Sequence, residues 1–106
     1  MVKKLLFFVF LFVAAVSFAQ QNSLKNLSAS PNPFKNQTNI SFYNNDAGKV
    51  ILSVQNVLGK IVYRETFSAK HGKNTITFYK NNLNKGVYLY SIQKQSGILT
   101  KRFVIQ

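Results

Sequence analysis

Residues 49–69 read KVILSVQNVLGKIVYRETFSA, and the fold turns on this stretch. Val50, Leu52 and Val54 fall on one face of an extended chain, while Lys49, Ser53 and Gln55 mark the other. That is a period of two, which belongs to a strand and not to a helix. The pattern predicts one strand over Lys49–Val57 and another over Lys60–Ala69. Leu58-Gly59-Lys60 reverses the chain between them, with Gly59 supplying the positive φ that a tight hairpin needs.

Outward from this hairpin the pattern repeats. Leu24–Ser30 forms a first short strand, stopped at Pro31-Asn32-Pro33 because each proline lacks a ladder donor and fixes its own φ. Asn39–Tyr43 follows, with Ile40 and Phe42 on one face, and Asn44–Gly48 is a turn cluster. After a turn at His71-Gly72-Lys73, Asn74–Tyr79 carries Ile76 and Phe78 in phase. A loop over Asn81–Gly86 leads to Val87–Gln95, and Ser96-Gly97 turns the chain into Ile98–Ile105. No window of ten residues from Leu24 onward has helical periodicity. Short strands with turns at intervals of about 8–12 residues predict an all-β, antiparallel sandwich of about seven strands with Greek-key or meander connections. A small barrel of the OB type is the alternative.

The N-terminus reads differently. Lys3 and Lys4 precede an unbroken apolar run, Leu5–Val16, 12 residues long. As a helix that run covers roughly 18 Å, short of a hydrocarbon core of about 30 Å. Ser17-Phe18-Ala19 then puts small residues at the −3 and −1 positions of a cleavage site. Residues 1–19 are therefore expected to be a secretory signal peptide, cut between Ala19 and Gln20. Residues 20–26 are expected to be a short spacer and 27–106 the folded domain. The processed chain is expected to be exported by the Sec route and not to be transmembrane.

Composition narrows the chemistry. The 106 residues contain no cysteine, one histidine (His71) and two carboxylates (Asp46 and Glu65). Thiol catalysis, disulfides and thiolate metal sites are excluded, and a carboxylate cage for a hard cation lacks ligands. His71 in Lys70-His71-Gly72-Lys73 reads as an exposed turn residue, Asp46 as a turn residue, and Glu65 as the partner of a cross-strand lysine. No catalytic, metal or cofactor site is expected, and the chain is not expected to be an enzyme. The net charge of +12, less the two lysines of the leader, leaves +10. The lysines are scattered, with no run of four, and there are only two arginines, Arg64 and Arg102. With the export leader, this argues against a nucleic-acid partner. Lysines placed to keep strand edges soluble account for most of the charge. The alternative function it suggests is a small secreted basic adhesion module for acidic surface polymer or glycan.

Five segments, in order, resemble a known family. They are Ser30-Pro31-Asn32-Pro33-Phe34, the hairpin Val54–Val62 with its Asn-x-x-Gly step, Asn74 after Gly72, Leu83-Asn84-Lys85-Gly86-Val87-Tyr88, and Thr100-Lys101-Arg102-Phe103-Val104. Together they resemble the type A C-terminal sorting domain of the type IX secretion system of Bacteroidota. The resemblance implies an immunoglobulin-like β-sandwich that carries a cargo out of the cell without any activity of its own. It implies recognition in the periplasm by translocon components, cleavage by a sortase-like protease, and a secreted or cell-surface destination. It also brings in anionic lipopolysaccharide as a candidate partner. Pro31, Asn32, Pro33, Phe34, Gly59, Asn74, Gly86, Tyr88, Lys101, Arg102, Phe103 and Val104 are the sorting-motif residues by this resemblance. The final strand is expected to carry the sorting information. Family members follow a large cargo, whereas only Gln20–Asn26 precedes the domain here, so almost no cargo is expected.

Overall fold

The computed structural model describes residues 23–106. The expected leader and the Ala19–Gln20 cleavage site lie outside the described residues. Seven strands follow in order: β1 Leu24–Ser30, β2 Gln37–Asn44, β3 Gly48–Gln55, β4 Ile61–Ala69, β5 Gly72–Tyr79, β6 Gly86–Lys94 and β7 Gly97–Ile105. They form two antiparallel sheets, β1-β2-β5 and β4-β3-β6-β7, which is the immunoglobulin-like sandwich. The chain crosses between sheets after β2, β4 and β5, so two separate sheets form instead of one closed barrel.

The strand ends differ from expectation for local reasons. β3 stops at Gln55 because Asn56 already opens the hairpin. There the Asn56 carboxamide oxygen accepts from the backbone N–H of Leu58 and of Lys60, each at 3.0 Å. Gly59 sits at φ 86° and donates to the Asn56 carbonyl. β5 begins at Gly72, so the expected turn at His71–Lys73 shrinks to Lys70-His71. Leu24–Asn26, within the segment read as a spacer, already belongs to β1, and Leu24 is buried.

The core is the set of alternate residues that the period of two selects. Val50, Leu52 and Val54 of β3 are 0% exposed. They meet Ile40 and Phe42 of β2, Phe78 of β5, Tyr90 and Ile92 of β6, and Phe103 and Ile105 of β7. Burying each such side chain contributes about 1.5–3 kcal/mol. Without disulfides, this layer carries the stability.

Each edge of the four-stranded sheet turns one charge inward. Glu65 stands opposite buried Leu52 on β4, and Lys101 stands opposite buried Tyr90 on β7. Both charges remain exposed at the rim, where they discourage indiscriminate strand pairing. Glu65 does not take the lysine expected of it. Its carboxylate accepts the hydroxyl of Tyr63, two residues away on the same strand and the same face.

Candidate functional site

Strand β7 is an edge strand, and one end of that edge is already occupied. After β1, the chain crosses from the three-stranded sheet and lays Pro31–Phe34 along β7. Phe34 pairs with Ile105 in a parallel bridge. The Phe34 N–H donates to the Val104 carbonyl at 3.0 Å, and the Gln106 N–H donates to the Phe34 carbonyl at 2.8 Å. Pro31 and Pro33 cannot donate, so the Asn32 side chain supplies the missing pair. Its Oδ1 accepts the Val104 N–H at 3.0 Å, and its Nδ2 donates to the Arg102 carbonyl at 3.2 Å. A carboxamide carries one acceptor and one donor group, as a backbone peptide does, and here it completes the ladder. The hydroxyl of buried Thr38 donates to the Pro31 carbonyl at 2.6 Å and closes the loop from behind.

Beneath this clip the rings converge. Phe103 is fully buried, with Phe34 edge-on at 5.0 Å, Tyr90 stacked at 5.0 Å and Phe78 at 5.5 Å between ring centroids. Such aromatic pairs contribute about 0.5–1.5 kcal/mol each beyond their burial. Burial among these rings pushes the Tyr90 hydroxyl pKa up. Tyr88 lies against Phe103, and its hydroxyl donates to the Asn84 carbonyl at 2.7 Å. That bond ties the start of β6 to the loop before it, the tyrosine corner of this kind of sandwich. Gly86 opens β6 directly opposite Ile105.

Pro31, Asn32, Pro33, Phe34, Gly86, Tyr88, Phe103 and Val104 thus come together around the end of β7, from segments about 70 residues apart. Lys101 and Arg102 are exposed on the same strand. Gly59 and Asn74 do not join this cluster; each fixes a turn. Asn74 accepts from the Lys70 N–H at 3.0 Å and donates to the carbonyls of Lys70 and Gly72. The sequence reading missed Asn44, which is 0% exposed. Its Nδ2 donates to the carbonyls of Asp46 and Lys70, and its Oδ1 accepts from the Lys94 ammonium at 2.8 Å. It sits in phase with Ile40 and Phe42, the one signal that could have placed it inside.

The arrangement fixes backbones and packs rings. His71 is exposed, its ring 6.0 Å from that of Tyr43. Asp46 is exposed in its turn, and Glu65 is on the far edge. Among the described residues no group of three or more histidines and carboxylates could hold a metal ion.

The fold and the clip together define a small immunoglobulin-like sandwich with one sheet edge partly covered by its own chain. Residues 28–106 match the model of the secretion system C-terminal sorting domain, and the chain belongs to that family, the type IX sorting domains. No curated protein sequence matched the chain. Among solved structures it is similar to a β-glucosidase from Listeria innocua in complex with glucose, at 17% identity and a TM-score of 0.43, over 77% of this chain and 16% of that one. The same enzyme without that ligand gives 18% identity and a TM-score of 0.41, over 77% and 16%. The chain thus spans about one sixth of that enzyme's length.

Proposed function

We propose that this chain is a non-enzymatic sorting signal, read by the type IX translocon through the exposed backbone of β7. The observation that carries the reading is the convergence of Pro31–Phe34, Gly86 and Tyr88 on Phe103 and Val104 of that strand. Asn32 and Phe34 use the outward backbone groups of Val104 and the Arg102 carbonyl. Residues alternate in the direction of their backbone groups along a strand, so those of Ile98 and Thr100 also face outward. They extend the edge past the end of the clip. A translocon segment adding there as one more strand would find its register set by the clip, with Lys101 and Arg102 beside its clip end.

In this reading the leader delivers the chain to the periplasm and is removed after Ala19. The translocon takes residues 27–106 across the outer membrane, a sortase-like protease processes it, and the product is released or held at the cell surface. Anionic lipopolysaccharide is then a neighbour that the basic surface would meet. The test is a fluorescent protein joined to residues 20–106 behind a Sec signal in a type IX-competent host. The fusion should reach the outside of the cell, and deleting Thr100–Gln106 should hold it in the periplasm. Equal export from a strain lacking the translocon would refute the proposal.

A further inference from the structure

The outer face of the three-stranded sheet has a composition unlike the rest of the surface. Three cross-strand rows lie on it: Lys25–Tyr43–Lys73, Ser28–Ser41–Thr75 and Ser30–Asn39–Thr77. Side-chain bonds hold two of these rows in place. Ser41 Oγ and Thr75 Oγ1 are 3.2 Å apart, and the Thr77 hydroxyl donates to Asn39 Oδ1 at 3.0 Å. β1 is not regular here. Asn26 adopts φ 59°, and the register with β2 slips between Lys25 and Ser28. Bulges of this kind re-aim side chains and open concave surface. The result is a depression of about 450 Å³ lined by Asn26, Ser28, Ser30, Ser41, Tyr43 and Lys73.

The chemistry of this depression selects among ligands. Hydroxyls and a carboxamide stand around it, Phe42 reaches it from the core side, and lysines stand at one end. Neither carboxylate belongs to the face, since Asp46 lies in the turn after β2 and Glu65 lies on the other sheet. The face therefore offers donors and positive charge with no acidic group to repel an anion. A nucleic-acid strand would need a free aromatic platform. The Lys25 ammonium covers Tyr43 at 4.8 Å from its ring centre, and the exposed ring of Tyr79 stands alone beyond the Ser30–Asn39–Thr77 row, too little to stack a run of bases. A lipid surface would need exposed apolar side chains, and these rows hold none. A chain rich in hydroxyls that also carries carboxylates meets each feature: hydroxyls against the serine, threonine and asparagine rows, carboxylates against the lysines.

We propose that the outer face of the β1-β2-β5 sheet is a binding site for an acidic, uronate-containing polysaccharide, centred on the depression beside Asn26 and Lys73. This site lies on the other sheet from β7, with β1 between the depression and the β7 edge.

The test uses the chain recovered from the periplasm of a Sec-competent expression host. Oligogalacturonate is titrated in by calorimetry, and backbone amide shifts are followed by NMR. Shifts should concentrate at Ser28, Ser41, Tyr43 and Lys73. Lys73→Gln should weaken binding about tenfold, the effect of one lost charge-assisted hydrogen bond. Lys49→Gln removes the same charge from the other sheet and should change affinity less than about twofold, because exposed charges beyond a Debye length are screened. Unchanged thermal melts for both variants establish that the fold is intact. Three results overturn the proposal: no binding of oligogalacturonate, equal weakening by Lys73→Gln and Lys49→Gln, or equally tight binding of a single-stranded oligonucleotide with the same shifts.

Discussion

Asn32→Ala removes one side chain that is exposed, yet bonded twice to the final strand. The substitution deletes the acceptor of the Val104 N–H and the donor to the Arg102 carbonyl. Each hydrogen bond contributes about 0.5–1.5 kcal/mol net. Water can replace part of it at an exposed site, so the pair is worth about 1–2 kcal/mol. A domain of this size loses about 4–8 °C in Tm per kcal/mol, giving a fall of roughly 4–16 °C. A melt followed by circular dichroism measures this. Hydrogen exchange locates it. The Val104 amide should lose protection in the variant, while those of Phe103 and Ile105, which point toward β6 by alternation, should keep theirs relative to the global stability. Asn32→Asp keeps an acceptor for Val104 but sets a carboxylate against the Arg102 carbonyl, so it should fall at least as far as Asn32→Ala in the melt while sparing Val104. Unchanged protection at Val104 in Asn32→Ala would refute the clip.

Other outcomes follow from the same geometry. Asn44→Ala removes three hydrogen bonds from a buried site, while the Lys94 ammonium keeps the Asp46 carbonyl and Asn74 keeps the Lys70 carbonyl; it should cost about 1–2 kcal/mol in a denaturant melt. Gly59 sits at φ 86° with open space where a Cβ would project; Gly59→Ala should therefore cost about 1 kcal/mol from backbone alone, and Gly59→Asn less. The Tyr63 hydroxyl is pushed from 10.0 up to about 12 by burial, then by its hydrogen bond to Glu65 and by that carboxylate's charge. Its neutral form is favoured in the folded state, so this contribution is complete below pH 10 and is lost as pH rises from 10 to 12. Denaturant midpoints over that range should fall more steeply for the parent than for Tyr63→Phe.

The strands were legible because alternation is local. Val50, Leu52 and Val54 announce their common face within five residues, and the asparagines and glycines between strands announce the turns. Asn56 and Gly59 could be placed in a hairpin for the same reason. The clip was not legible from pattern. Asn32 bonds to residues about 70 positions away, and nothing in Pro31-Asn32-Pro33-Phe34 indicates which strand it will meet. The resemblance gathered these residues without saying that they would touch. Asn44 was hidden because a polar side chain in phase with Ile40 and Phe42 reads as the end of a strand. Only the tertiary fold brings Lys94 and the Lys70 carbonyl to it. Glu65 was misassigned because counting lysines favours an ion pair, whereas its nearest partner along the strand face was the Tyr63 hydroxyl.

The most direct test of recognition through the β7 edge is export of a fluorescent fusion carrying Thr100→Pro. The Thr100 N–H points away from β6, so proline removes no ladder bond within the domain and is tolerated at an edge. It does block an incoming strand. The account predicts a folded variant, with a melt within a few degrees of the parent, that stays in the periplasm of a type IX-competent host. A folded Thr100→Pro fusion that leaves the cell as efficiently as the parent would contradict it.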